Sequence, residues 1–358
     1  MDKITEEDII KAYRYFKNYL YYDKTALFVR HKLAEFEYEV QSKEDLIEHL
    51  GIQEFLTDDQ KVITKKLNEI NIKVIPKTVI DSTKNDKDSN KDENEIRFFT
   101  NDTSNQKIKI EKYNYLIDAP IGVYVLSVLW LMKFAPKFSK IISNDNYAYR
   151  FRTKNENNNS NILNGISIYE PYFCGYQQWR DNAINKVNEL VSSGNDATLI
   201  GLDIQRYFYN IQLDLNELLE DVSNNENLDK NDDYAQLTNI LHKIHETYTQ
   251  KVRKIISKTE SNSEILNEDN QNSAKTMLPL GLPSSGFIAN LYLADFDRKV
   301  HEELNPDYYG RYVDDILIVL KNCKFDDVHD FIKSKLLEKK YYLKIKIRKR
   351  ILQLSTII

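Results

Sequence analysis

The sequence predicts an α+β protein built around one antiparallel sheet with helices on one face. Ala197–Ile204 is a short, continuous apolar run that is typical of a buried strand. Tyr312–Leu320 combines aromatic, β-branched and aliphatic residues around two acids, which indicates a hairpin with the acids at its tip. Tyr341–Ile347 alternates as a final strand. Helix-period segments separate these strands, so the order of elements matches the split βαβ, ferredoxin-like plan.

The remaining elements follow from periodicity and capping signals. Residues 6–70 carry apolar positions at the helical period, and Ser42 and Thr57 are plausible capping-box starts within that region. Tyr147–Phe151 alternates like a strand. Further helices are predicted at 119–143, 176–193, 214–221, 235–257, 284–302 and 326–339. Loops or insertions rich in Asn, Asp, Lys and Ser are predicted at 81–109, 153–163, 222–233 and 258–275.

Composition excludes several classes of protein. Two cysteines in 358 residues do not predict a disulfide framework or a cysteine-based zinc site. The longest apolar run, Ile121 to Phe134, is too short to cross a bilayer, and the charged N-terminus does not resemble a signal peptide. We therefore expect a cytoplasmic protein with no membrane partner. The net charge of −5 does not predict nucleic-acid binding over the whole surface, although basic clusters occur at 133–154 and 333–350.

An acidic pair, Asp314-Asp315, interrupts the apolar pattern of the predicted hairpin. Two adjacent carboxylates repel one another, so a nearby cation would stabilise them. Mg²⁺ is the natural candidate, because it prefers carboxylate oxygens and is often held by only one or two of them plus substrate phosphates. Taken alone, the pair predicts a metal-binding hairpin no more strongly than an ordinary acidic turn.

A third carboxylate strengthens the case for a metal site. Asp203 ends the predicted strand Ala197–Ile204, at the sheet edge where active sites are commonly built. By itself this residue is more often a helix cap. If its strand lies beside the acidic hairpin, three carboxylates meet at one point, as two-metal phosphoryl transfer requires.

Three segments together resemble the motifs of reverse transcriptases. Tyr312-Val-Asp-Asp315 resembles motif C, Asp203-Ile-Gln-Arg-Tyr-Phe208 resembles motif A, and Leu278–Leu293 resembles motif B, in the family's order. The resemblance extends over about residues 110–350. Tyr169–Asp181 and the stretch from Tyr113 through the following helix look more like bacterial defence-associated reverse transcriptases than retroviral ones.

The resemblance implies a right-hand polymerase with fingers and palm. Residues 1–75 would form an N-terminal helical region at the base of the fingers, 76–170 the fingers and 171–352 the palm. Within the palm we expect motif A near 199–211, an insertion at 222–275, motif B at 278–293, motif C at 310–320 and a motif-D-like stretch at 341–350. The primer-grip hairpin and thumb that follow motif D in the family are not found before Ile358.

The family also implies roles for matching residues. Asp203 and Asp314 would ligate two Mg²⁺ ions, with Mn²⁺ as an alternative, Asp315 would support the site, and Ile204 would add its backbone carbonyl. Phe208 falls at the steric-gate position, where an aromatic ring clashes with a 2′-OH. Its other interpretation is ordinary core packing.

Other matching residues would bind the nucleotide or donate a proton. Gly281, Leu282, Pro283 and Ser284 correspond to the turn that contacts the nucleotide, and Leu280 stands where the family usually has Gln. Arg150 and Arg152 would grip the triphosphate if they share one face of a strand. A lysine of motif D is expected to protonate the pyrophosphate, and the candidates are Lys344, Lys346 and Lys349.

We expect Mg²⁺-dependent transfer of dNMP from dNTP to a primer 3′-OH on an RNA template, in bacterial antiphage defence. The primer would be DNA or protein, and a non-coding RNA or a second protein would supply the thumb function. One alternative is an untemplated or protein-primed terminal nucleotidyltransferase on the same palm. A second is a non-catalytic palm subunit that binds RNA.

Overall fold

The structure is a computed structural model that describes residues 4–23, 26–57, 59–81, 108–138, 140–152, 167–218, 220, 232–259, 275–324, 327–332, 334–335, 345–347 and 352–354. The helices are α1 (Glu6–Tyr22), α2 (Leu27–Glu39), α3 (Lys43–Leu50), α4 (Ile52–Phe55), α5 (Gln60–Asn68), α6 (Ile121–Phe138), α7 (Tyr172–Ser192), α8 (Tyr207–Asn210), α9 (Asp232–Thr259), α10 (Pro283–Tyr292), α11 (Ala294–Leu304) and α12 (Val328–Ile332). The strands are β1 (Asn71–Asp81), β2 (Ile108–Asp118), β3 (Ala197–Ile204), β4 (Tyr308–Tyr312), β5 (Asp315–Lys321), β6 (Ile345–Ile347) and β7 (Leu352–Leu354).

Helices α1 to α5 occupy the region that periodicity predicted to be helical. Ser42 caps α3 as expected, because its hydroxyl accepts a hydrogen bond from the Asp45 N–H at 3.1 Å. The cap of α5 is Asp59 and not the predicted Thr57, since Asp59 Oδ1 accepts from the Lys61 N–H at 2.8 Å. A carboxylate at this position also complements the helix dipole.

Strands β1 and β2 form an antiparallel pair that the sequence did not predict. Asn71 pairs with Asp118, and the register continues to Asp81 and Ile108 with an irregularity near Thr78. The alternation of Ile72 and Val74 was assigned to the end of the helical region, and the polar segment 81–109 separates the two strands in sequence. Residues 82–107 lie outside the described part of the chain.

The second sheet has the strand order β4-β5-β3-β6, and β7 also pairs with β3. Each of these pairings is antiparallel. With strands counted along the chain from β3, the order is the one that a split βαβ unit produces. The predicted strand Ala197–Ile204 is confirmed at both ends and occupies the centre of the sheet.

Apolar side chains pack against both faces of this sheet. Helix α7 contacts β3, β4 and β5, where Val187 and Leu190 join Ala197 and Val319 in a separate cluster. The opposite face joins the main core through residues such as Ile200. Strand β3 can serve both faces because its apolar run is continuous and not alternating.

Three predicted elements differ from the structure. Tyr147–Phe151 is not a strand, because Tyr149 has a φ of 50° and only Phe151 forms a bridge, to Tyr169. The helix predicted at 284–302 is divided into α10 and α11 at Leu293. Only 328–332 and 334–335 of the predicted helix 326–339 are helical within the described residues. No helix in the described ranges is long and apolar enough to cross a membrane.

Candidate active site

The acidic hairpin turns sharply at Val313 and Asp314. Tyr312 pairs directly with Asp315, so these two residues form the whole connection between β4 and β5. Val313 has a φ of 59°, a left-handed conformation that is unusual for a β-branched residue. Such a conformation costs on the order of 1–3 kcal/mol and persists only where the surroundings hold it.

A buried arginine holds this turn from the inside. The Arg311 guanidinium is fully buried and donates from Nη1 to the Val313 carbonyl oxygen at 3.1 Å and to Asn290 Oδ1 at 2.9 Å. Its charge is matched by Asp297 of α11, which is also fully buried and accepts from Nε at 2.7 Å and from Nη2 at 2.6 Å. The Tyr309 hydroxyl donates to the same carboxylate. The network therefore ties α10 and α11 to the acidic turn.

The backbone brings the three predicted carboxylates to one end of the sheet. Asp203 at the end of β3 is the antiparallel partner of Asp315 at the start of β5. The Ile204 N–H donates to the Asp314 carbonyl oxygen at 3.0 Å, which fixes the turn against the end of β3. Cross-strand partners lie on the same face of a sheet, and like charges in such a pair are destabilising.

The electrostatics of Asp314 reflect this crowding. Burial, followed by the charges of Asp315 and Asp203, raises the pKa of the Asp314 carboxyl from 3.8 to about 6. An ionised Asp314 is therefore costly unless a positive charge compensates it.

Hard carboxylate oxygens and an excess of negative charge fit a divalent cation such as Mg²⁺. Among the described residues, no three His, Cys, Asp or Glu side chains gather into a ready-made metal cage. Mg²⁺ does not require one, because it commonly uses one or two carboxylates and takes its other ligands from water and substrate phosphates. The donor set therefore fits the ion that the sequence predicted.

Phe208 connects the segment after β3 with the segment before α10. Its ring is partly buried against the main core and lies 6.0 Å from the Tyr207 ring. Its carbonyl accepts from the Leu278 N–H at 3.0 Å, and Leu213 and Thr276 form a bridge nearby. The ring is therefore near the carboxylates in sequence and is not wholly committed to the core.

The predicted nucleotide-binding turn is mostly buried. Gly281 is exposed and has a φ of 96°, a conformation that favours glycine. Leu282, Pro283 and Ser284 are buried, and the Ser284 hydroxyl has no hydrogen-bond partner among the described residues. In this conformation Gly281 is the member of the turn that a ligand can reach.

Tyr149 is a candidate site residue that the sequence did not single out. Its ring lies so close to Gly286 of α10 that a Cβ added there would be 2.5 Å from the ring carbons. Its pKa is raised to about 12 by burial, then by the charges of Asp23 and Asp314. The tyrosine is therefore in the electrostatic neighbourhood of Asp314, and only its place next to Arg150 pointed to it in the sequence.

The predicted arginines flank a short bridge. Arg152 N–H donates to the Ile168 carbonyl at 3.0 Å and Arg150 O accepts from Glu170 N–H at 2.9 Å, on either side of Phe151. Extended backbone places both arginines on the side opposite to the buried Phe151. Arg150 is partly exposed and Arg152 is exposed.

Of the three predicted proton-donor lysines, one falls within the described residues. Lys346 of β6 is the backbone partner of Asp203, on the edge of β3 opposite to Asp315. Lys344 and Lys349 lie outside the described part of the chain.

Comparison with known families gives one match. A family model described as reverse transcriptase (RNA-dependent DNA polymerase) matches residues 149–352. This range covers more than half of the chain and includes β3, the acidic hairpin and α10. No curated protein gives a significant match.

Proposed function

Because this chain belongs to the reverse transcriptase family and is an RNA-directed DNA polymerase, we propose that Asp203, Asp314 and Asp315 are its catalytic carboxylates. The observation that carries the proposal is the pairing of Asp203 with Asp315 beside the Asp314 turn. The reaction is the attack of a primer 3′-OH on the α-phosphate of a dNTP, with pyrophosphate as the leaving group. The template is RNA, and the primer is DNA or protein.

Asp203 and Asp314 would hold Mg²⁺, with Asp315 in support and the Ile204 carbonyl as a further oxygen ligand. Two bound ions would stabilise the charge on the attacking and leaving oxygens. The protein's own part is positioning, because Arg311 holds the Val313 carbonyl and the Ile204 N–H holds the Asp314 carbonyl. Lys346 is the preferred proton donor to pyrophosphate, since it pairs with Asp203 in the register.

The nucleotide would lie between the acidic turn and the segment that begins at Gly281. Exposed glycine backbone allows close approach of a ligand. Leu282, Pro283 and Ser284 would support this segment from the core, and Arg150 and Arg152 would contact the triphosphate with their guanidinium groups. Residues 171–352 would then act as the palm and 76–170 as the fingers.

Phe208 would select the sugar of the nucleotide. A ring at this position excludes a 2′-OH by steric clash. We expect Phe208→Ala to raise kcat/KM for rNTPs relative to dNTPs by about 10- to 100-fold, which corresponds to roughly 1.4–2.8 kcal/mol. Single-nucleotide incorporation with dTTP and UTP on one template measures the ratio. An unchanged ratio in a folded variant would show that Phe208 only packs against the core.

We also propose a role in bacterial antiphage defence, on the resemblance of the region around Tyr169–Asp181 to defence-associated reverse transcriptases. Templated synthesis has one rival, untemplated or protein-primed nucleotide transfer on the same carboxylates. The observation that favours the rival is Leu280 in place of the usual Gln. Leu280 carries its own structural role, because its carbonyl oxygen accepts from the Ile117 N–H at 2.9 Å.

The function is tested by incubating the purified protein with labelled dNTPs, an RNA template and a DNA primer, with Mg²⁺ or with EDTA. We expect incorporation that depends on Mg²⁺. No incorporation on any primer, including the protein itself, would overturn the proposal and favour a non-catalytic RNA-binding role.

A further inference from the structure

Exposed aromatic side chains cluster at the start of α7. Tyr172, Phe173 and Tyr176 expose 59%, 57% and 44% of their surface, and the Tyr172 and Phe173 rings meet edge to face at 5.7 Å. Single exposed apolar residues are ordinary, but a contiguous group marks an interaction site. We call these three residues the aromatic surface.

The aromatic surface continues directly into the acidic hairpin. The Tyr176 ring meets the Tyr312 ring edge to face, with centroids 5.2 Å apart, and the Tyr312 hydroxyl donates to the Tyr172 carbonyl oxygen at 3.2 Å. Tyr312 immediately precedes the Val313–Asp314 turn. A strand whose end reacts at Asp314 would therefore pass close to these rings.

The start of α7 is held rigidly in this place. A Cβ on Gly175 would lie 2.2 Å from the Tyr147 carbonyl oxygen, so only glycine permits the helix to approach so closely. One turn later, the Trp179 indole N–H donates to the Gly310 carbonyl oxygen at 2.9 Å. A surface that is already ordered loses little conformational entropy on binding.

The chemistry of the aromatic surface fits nucleic-acid bases. No charged residue occurs from Pro171 through Trp179, and Gln177 and Gln178 add exposed neutral amides. Aromatic side chains stack on bases of any sequence, because every base has a π-face. Phosphate contacts would have to come from other parts of the protein.

We propose that the aromatic surface stacks on bases of the primer strand and so holds its 3′ end beside the acidic hairpin. The proposal rests on the proposed polymerase function and names the partner of the same site. It assigns Tyr172, Phe173 and Tyr176 to binding and not to the chemical step.

The test is fluorescence anisotropy with a labelled single-stranded oligodeoxynucleotide and the full chain. The variant Tyr172→Ala/Phe173→Ala/Tyr176→Ala is expected to lose about tenfold or more in affinity, or about 1.4 kcal/mol, because it loses base stacking. The variant Tyr172→Phe/Tyr176→Phe keeps the rings and should bind as wild type does. Tyr38→Ala, on α2 with 89% of the side chain exposed, is the matched control and should also bind normally.

Kinetics separate this proposal from the proposed function. The triple alanine variant should show a KM for primer about tenfold higher and a KM for dNTP within about twofold of wild type. Asp314→Asn should bind the oligonucleotide normally and incorporate nothing. Normal oligonucleotide affinity in the folded triple variant would overturn the proposal and leave the rings as a site for a protein partner. Normal binding by wild type without incorporation would instead contradict the polymerase function.

Discussion

Asp314→Asn is expected to reduce dNMP incorporation by about 1000-fold or more, because the metal charge that this carboxylate holds is worth several kcal/mol to the transition state. The substitution keeps the size of the side chain and the carbonyl that binds the Ile204 N–H. Steady-state incorporation on a primed RNA template measures the effect. Glu303→Gln, an exposed acid on α11, is the control and should retain full activity.

The same variant should be more stable than wild type when no divalent ion is present. The pKa of Asp314 is raised from 3.8 to about 6 in the folded protein, so its ionised form destabilises the native state. Above about pH 6 the full cost is present, roughly 2–3 kcal/mol, and it fades as the pH falls to 3.8. Thermal unfolding in EDTA at pH 8 and pH 4 measures it. A variant that is less stable than wild type at pH 8 would contradict this electrostatic explanation.

Mg²⁺ should reverse that order of stability. An ion that binds the folded protein raises its unfolding temperature, and the gain should be larger for wild type than for Asp314→Asn. Equal shifts in both proteins would place the bound ion elsewhere.

Arg311→Met is expected to lower the free energy of unfolding by about 3–5 kcal/mol, because it leaves the fully buried Asp297 carboxylate without its partner. It also removes the hydrogen bond to the Val313 carbonyl, so the strained turn loses its support. We expect kcat to fall by about 10- to 100-fold through misplacement of Asp314. Denaturant unfolding and single-turnover incorporation measure the two effects.

A second substitution separates stability from positioning. In Arg311→Met/Asp297→Asn the uncompensated charge is gone, and much of the lost stability should return. The hydrogen bond to Val313 is still missing, so kcat should stay low. Recovery of both properties would show that Arg311 only neutralises Asp297.

Local sequence patterns were sufficient for the catalytic strand and hairpin. Ala197–Ile204 is apolar at every position before Asp203 except Thr198 and Gly201, and the Tyr312–Leu320 pattern breaks only at the acids. Both signals span a few residues, and the structure confirms the strand and the turn. The pairing that joins Asp203 to Asp315 followed from the predicted topology.

Features that depend on distant residues could not be predicted. Arg311 occurs in an otherwise ordinary strand pattern, and its partner Asp297 occurs on an amphipathic helix 14 residues earlier. Neither shows from its neighbours that it is buried. Tyr149 likewise contacts Gly286 across the fold, and its positive φ ended a strand that alternation alone predicted.

Template-directed incorporation tests the central claim most directly. Primed RNA templates that differ only in the first templating base are each offered all four dNTPs, and the products are sequenced. We expect wild type to add the complementary nucleotide on each template, and Asp314→Asn, which should be folded, to add none. Products that are independent of the template, or normal synthesis by Asp314→Asn, would contradict the account.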